Sequence, residues 1–397
     1  MFDPNAHFPL NERNWNPGEV QQSIQNIVDD HVSELAHNPT LPLHPMDGYG
    51  VKGDLYLGLA GVVWGVCYLA GAGVVRASTD VSSRLDELLS ANEKDYKNHQ
   101  HASNSSYLFG NIAILMQKYK LLKERQVADE IFRSIEVNNV QPVRELMWGT
   151  AGTMLCARFM HSWTREPRWK DIFLLQANRM LDEWETIEGI GHLWTQDLYG
   201  SKNKYLGPVH GFSGNIIPLI EGKGLLGAEA YQEIALKVMT TVVNTAYSDE
   251  KHANWPAVFD ASPDALPPRL LQHCHGAAGM ITALSKLPVG INNDFDRLLE
   301  KGGELVWHAG ALKKGANLCH GTGGNGYAFL KLYERTGNRL WIDRAQAFAM
   351  NCIDQYRLSK EVFHQGRYTL WTGDLGTAFF LWDCITEQAN FPTVDIF

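Results

Sequence analysis

Two kinds of apolar pattern alternate along the chain. In the first, the apolar positions form a one-sided stripe. Ala345, Phe348, Ala349, Cys352, Ile353 and Tyr356 recur at i, i+3, i+4, i+7, i+8 and i+11, as in a helix that buries one face. Val20, Ile24, Ile27 and Val28 repeat the stripe near the start, and Leu85, Leu88 and Leu89 repeat it within SSRLDELLSANEKDY. In the second, short runs such as VVWGVCYLA, TMLCARFM, MITAL and TAFFLW are apolar on nearly every side. They predict helices buried all round. Half-buried helices alternating with fully buried ones predict two concentric layers.

Each fully apolar run opens on the same short motif, Gly-x-x-Gly. It recurs as Gly58-Leu-Ala-Gly61, Gly149-Thr-Ala-Gly152, Gly211-Phe-Ser-Gly214, Gly276-Ala-Ala-Gly279, Gly321-Thr-Gly-Gly324 and Gly373-Asp-Leu-Gly376, with Gly110-Asn-Ile-Ala113 as a variant. Successive copies lie 39 to 65 residues apart, room for two helices and two connections. Seven helical hairpins most simply close into a ring, because an open stack leaves the ends of its inner layer wet. The expected fold is therefore all-α, an α/α toroid spanning residues 1–397 as a single domain. Glycine at the inner-helix starts tolerates the turn conformations of the entering loop and lets neighbouring backbones approach closely. In such a ring the N-termini of the inner helices, with their free N–H groups, converge on one cavity. Long polar or proline-bearing connections at 38–52, 187–208 and 248–268 interrupt the pattern. The last two run into the turns bearing His210 and Cys274, which makes them candidate rims or lids.

Composition narrows the partners. With 35 Lys+Arg against 44 Asp+Glu the formal net charge is −9, and no basic run offers the clustered positive charge that nucleic acid or an anionic membrane surface requires. No apolar stretch reaches the roughly 20 residues of a membrane span, and MFDPNAHFPLNERNWNPGE lacks the basic and apolar regions of a secretory leader. A cytoplasmic location is expected. Six cysteines are too dilute for a disulfide framework. Cys67, Cys156, Cys352 and Cys384 sit in apolar runs and read as small buried hydrophobes, whereas Cys274 and Cys319 do not.

Three turns carry metal-type side chains directly before the glycine: Val209-His210-Gly211, Cys274-His275-Gly276 and Cys319-His320-Gly321. Two thiols and one imidazole make the ligand count of a zinc site that keeps its fourth position open, while Cys274, His275, Cys319 and His320 together would make a closed structural site. Spacing alone leaves both open.

The seven hairpins with His210-Gly211, Cys274-His275-Gly276 and Cys319-His320-Gly321 resemble the LanC-like family, in its eukaryotic-type branch. The resemblance runs from Gly58 to Gly376, and the ending Asn390 to Phe397 is also similar. It implies that Cys274, Cys319 and His320 hold one zinc ion with room for a thiolate, that His210 is the acid/base histidine, and that Glu145 is a carboxylate of the site. It also implies that Lys314 contacts glutathione. His275 stands where the peptide cyclases have Tyr, and their active-site Arg has no matched counterpart, Arg269 being the nearest. The implied activity is zinc-dependent addition of a thiol, glutathione foremost, to dehydroalanine or dehydrobutyrine in a peptide or protein. The alternatives are an intramolecular lanthionine cyclase, a thiol alkyltransferase, and a non-catalytic scaffold that binds zinc and glutathione.

Overall fold

The protein is described from a computed structural model, which covers residues 1–37, 41–48, 53–77, 82–96, 104–262 and 265–397. The connection 38–52 thus lies partly outside the described residues. Its helices are α1 (Pro17–His37), α2 (Leu59–Gly71), α3 (Ser82–Tyr96), α4 (Ile112–Leu122), α5 (Arg125–Asn139), α6 (Thr150–Thr164) and α7 (Pro167–Asp182). They continue with α8 (Phe212–Glu221), the short α9 (Lys223–Leu226), α10 (Ala228–Thr245), α11 (Ala277–Leu284), α12 (Asn293–Ala309), α13 (Thr322–Thr336), α14 (Arg339–Phe363) and α15 (Asp374–Thr386).

The fully apolar runs are α2, α4, α6, α8, α11, α13 and α15. Each touches the next, and α15 returns to α2, so the inner layer closes. The striped helices form the outer layer. Val20, Ile24, Ile27 and Val28 of α1 and Ala345, Phe348, Ala349, Cys352 and Ile353 of α14 are fully buried. The α1 helix packs on α14, α15 and α2 and so seals the seam between the last inner helix and the first. This is the α/α toroid that the alternation predicts.

The glycines earn their places by close approach more than by conformation. A Cβ on Gly61, Gly152, Gly214, Gly279, Gly324 or Gly376 would run into the carbonyl oxygen six residues earlier, that of Leu55, Leu146, Pro208, His273, Leu318 or Leu370. Any side chain there would push the entering loop off its helix. A left-handed φ is required only at the N-cap Gly276, at 108°; the N-cap glycines before α2, α6, α8, α13 and α15 are extended.

Held this way, the entering loops join one another around the ring. The residue two before the first glycine forms a chain of backbone hydrogen bonds: Cys274 N–H to Cys319 O, Cys319 N–H to Trp371 O, Trp371 N–H to Tyr56 O, Tyr56 N–H to Leu108 O and Leu108 N–H to Met147 O. Side chains at this register are therefore neighbours in space although they come from six different repeats.

Short strands stand outside the helices, those from β2 to β7 in or beside the long connections where loops were expected: β1 (His7–Phe8), β2 (Glu185–Ile187), β3 (Gly191–Leu193), β4 (Gln196–Leu198), β5 (Ser201–Asn203), β6 (Tyr247–Ser248), β7 (Ala253–Asn254) and β8 (Ala311–Leu312). Strands β2–β3, β4–β5 and β6–β7 are antiparallel hairpins, and β1 pairs with β8. Connections 187–208 and 248–268 also pair with each other, through the Tyr205–Val258 bridge, Leu206 N–H to Ala257 O and Phe259 N–H to Lys204 O. Pairing satisfies backbone groups that a structureless rim would leave to water.

Residues 390–397 lie inside the ring. The Thr393 carbonyl accepts from Tyr107 Oη (2.6 Å), its hydroxyl accepts from Trp371 Nε1 (3.1 Å), and Asp395 meets Lys286 and Lys331. One cysteine departs from expectation. Cys156, Cys352 and Cys384 are buried, but Cys67 is only partly so, because it lines a cavity of about 270 Å³ with Trp64, Tyr68 and Lys120.

Candidate functional site

The first-glycine register also sorts the chemistry. Two residues before the glycine, Cys274 and Cys319 are buried in the ring of loops. One residue before it, His210, His275 and His320 are each partly exposed. Four residues before it stand Asp54, Glu145, Gln272 and Asn317, all buried. Three of these brace their own turns, since Asp54 accepts from Leu57 N–H, Glu145 from Met147 and Trp148 N–H, and Asn317 from His320 N–H.

The two thiols are free and touch. A hydrogen bond from Cys274 pulls the Cys319 thiol well below its ordinary range; burial opposes this, and His320 and Tyr56 add to it. The same hydrogen bond, together with burial, pushes the Cys274 thiol up. Tyr56 Oη donates to Cys319 Sγ at 2.6 Å, and Gln272 Nε2 donates to Cys274 Sγ at 2.8 Å. Each sulfur therefore has its own donor. Tyr56 occupies in the first repeat the register of Cys274 and Cys319, and Gln272 occupies that of Glu145; aligning the seven turns on their first glycine would have exposed both.

His275 differs from the other two histidines. Burial, helped by the nearby His210 and Lys314 charges, drives it down to about 4, so it is neutral. Its Nδ1 is buried without a hydrogen-bond partner among the described residues, and it lies beside Tyr205.

His210 meets Glu145 across the rim, with Nδ1 3.2 Å from Oε2. Glu145 is fully buried, so it is a fixed brace, and its second task is to accept from the imidazole. That assigns the proton to Nδ1 and leaves Nε2 for a ligand.

Lys314 is drawn to the same place. Its ammonium donates to Gln272 Oε1 at 3.2 Å and lies close enough to Cys274 and His275 to act on their protonation. Arg269 is not brought in. It sits on an exposed stretch, its carbonyl accepts from Asp3 N–H, and its guanidinium makes no hydrogen bond or ion pair among the described residues. The connection 248–268 contributes through Asn254, whose Oδ1 accepts from Ala277 N–H at the start of α11.

Among the described residues, no three His, Cys, Asp or Glu side chains are spaced as a bound metal would space them. The donor chemistry nevertheless fits zinc: two thiols in contact, with an imidazole hydrogen-bonded to one of them. No helix among the described residues is long and apolar enough to cross a membrane.

A closed double ring of helices with paired Cys-His turns on one rim defines an α/α toroid. The solved structure of nisin cyclase aligns with a TM-score of 0.58 over 93% of this chain and 99% of its own, at 13% identity, which shows the fold. The chain belongs to the lanthionine synthetase C-like family, whose model matches residues 50–396. It is 26% identical over 308 residues to glutathione S-transferase LANCL1 of Danio rerio, 72% of each chain. It is 36% identical over 136 residues to LanC-like protein GCL1 of Arabidopsis thaliana, 32% of this chain and 31% of that one.

Proposed function

We propose that the protein joins a thiol, glutathione foremost, to dehydroalanine or dehydrobutyrine in a peptide or protein. The observation that carries this reading is the meeting on one rim of the Cys274–Cys319–His320 cluster with the His210–Glu145 pair. It agrees in kind with a relative named a glutathione S-transferase.

Cys274, Cys319 and His320 would hold zinc, which when bound lets a thiol ionise near neutral pH. The rest of the chemistry falls to the chain. Sulfur adds to the β-carbon of the dehydroamino acid, the C=C π pair moves onto the α-carbon and its carbonyl, and a proton must then reach the α-carbon. His210 takes up the thiol's proton at Nε2 and returns it from there to the α-carbon, while Glu145 accepts from Nδ1 and fixes the ring. The net change is addition of RS–H across the double bond. Lys314, whose ammonium is exposed beside Gln272, receives a carboxylate of glutathione.

Incubating the full chain, loaded with zinc, with glutathione and a dehydroalanine peptide tests this directly. The mass of a glutathione adduct is expected on the peptide. If the dehydroalanine peptide comes through unmodified while its own cysteine-bearing analogue cyclises, the intramolecular reading replaces this one.

A further inference from the structure

The β4–β5 hairpin closes through a two-residue loop, with Leu198 opposite Ser201. Both loop residues are left-handed, Tyr199 with φ 54° and Gly200 with φ 78°. A loop of this type favours Asn, Asp or Gly at its first position. A tyrosine there is strained by its Cβ and bulk. The turn alone gives no reason for it.

The side chain has a reason. Tyr199 is 54% exposed, yet its ring stands edge-on to the His210 imidazole, centroids 5.7 Å apart and planes at 90°. Its Oη accepts from Trp148 Nε1 at 3.1 Å. Trp148 is the residue whose backbone N–H is held by Glu145, and its indole stacks on Phe109 with centroids 4.4 Å apart. Tyr199 therefore spans the two turns that carry the carboxylate and the imidazole. The Glu145 bond restrains one nitrogen of His210 but leaves the ring free to swing about it. An aromatic ring packed at right angles removes that swing.

We propose that Tyr199 is a positioning residue that holds His210 with Nε2 toward the acceptor, at the expense of the hairpin turn. This inference rests on His210 being the proton donor of the proposed reaction. It makes an unusual demand on a substitution: Tyr199→Asn suits the turn better and should keep or raise the melting temperature, yet it should impair chemistry.

The test compares the zinc-loaded full chain with Tyr199→Asn and Tyr199→Phe, using glutathione and a dehydroalanine peptide. For Tyr199→Asn a melting temperature at or above wild type is expected, with kcat down about tenfold or more and KM for glutathione within about twofold. Tyr199→Phe, which keeps the ring, should recover most of kcat. Wild-type kcat in Tyr199→Asn, or a loss that merely follows a lowered melting temperature, overturns the proposal. A wild-type protein without turnover would instead remove the proposed function, and the His210 Nδ1–H resonance, identified by its loss in His210→Ala, then decides. It should shift or broaden in Tyr199→Asn and persist in Tyr199→Phe; an identical resonance in all three proteins overturns the positioning role.

Discussion

Cys274 and Cys319 stand two residues before the N-cap glycines of consecutive inner helices, and Cys274 N–H donates to the Cys319 carbonyl at 3.0 Å. Their spacing is thus set by backbone hydrogen bonding, so the sulfurs meet without help from flexible side chains. For zinc binding this predicts a preformed pair. Wild type should hold about one zinc per chain, and Cys274→Ala or Cys319→Ala should lower zinc content sharply in metal analysis. His275→Ala should retain it, because that imidazole is not the partner of either sulfur. Loss of zinc in His275→Ala would point to a closed four-ligand site.

The donors to the two sulfurs carry a second prediction. Tyr56 and Gln272 are buried, and each places one hydrogen on one sulfur. Groups that hydrogen-bond to metal ligands typically shift metal affinity by about 10- to 100-fold. Tyr56→Phe and Gln272→Ala should each weaken zinc in a chelator competition by about that factor. Unchanged competition curves would leave these contacts as packing alone.

His210 and Glu145 separate metal binding from proton transfer. His210→Ala should keep fold and zinc and lose roughly 10²-fold or more in turnover, the usual size of a general acid contribution. Glu145→Gln preserves volume but places an amide where the imidazole N–H needs an acceptor, and it should cost activity with zinc unchanged. Glu145→Ala should also lower the melting temperature, because Met147 and Trp148 N–H lose their acceptor. Full turnover in His210→Ala would take it out of the mechanism.

How far the sequence could be read follows from these contacts. The ring was legible because Gly61, Gly152, Gly214, Gly279, Gly324 and Gly376 each face a carbonyl that leaves no room for a side chain, so the repeat is written in glycine. The shared register of Cys274 and Cys319, with His320 beside the latter, was legible because they adjoin that mark. Tyr56 and Gln272 were missed since neither is a metal-type residue and each lies farther from the glycine; only their shared register betrays them. Strands β2 to β5 were missed because each is three residues long, too short for alternation to show, and Tyr199-Gly200 is not a common hairpin loop. Arg269 is near Cys274 in sequence, but its carbonyl meets Asp3 N–H and its guanidinium makes no hydrogen bond or ion pair among the described residues.

Lys314 tests the thiol donor. Its ammonium stands beside Gln272 and Cys274, whereas that of Lys313 lies over the Phe8 ring at 4.9 Å. Lys314→Glu should weaken glutathione binding by roughly 1–3 kcal/mol in calorimetry, the scale of a charge-assisted hydrogen bond, and Lys313→Glu should change it little. Equal affinity in wild type and Lys314→Glu would make a peptide-internal thiol the better nucleophile.

The last prediction concerns the segment inside the ring. The side chain of Asp395 is buried, with Oδ1 2.6 Å from Lys286 Nζ and Oδ2 2.9 Å from Lys331 Nζ, and it also accepts from Phe391 N–H. Burial pushes this carboxyl up, but the two ammonium groups outweigh it and hold it at about 2. An unfolded Asp titrates near pH 3.9, so the folded state binds this proton less readily. The stability it contributes is complete above about pH 4 and drains away as pH falls through about 2. Asp395→Asn leaves Lys331, almost fully buried, facing a neutral amide; breaking such a pair costs about 3–5 kcal/mol near pH 7. Urea melts of wild type and Asp395→Asn should therefore differ most at neutral pH, and the gap should narrow between pH 4 and pH 2 as the wild-type carboxylate takes up its proton. A gap that stays constant across that window would mean that Asp395 holds the segment by shape and hydrogen bonding, with its charge contributing nothing.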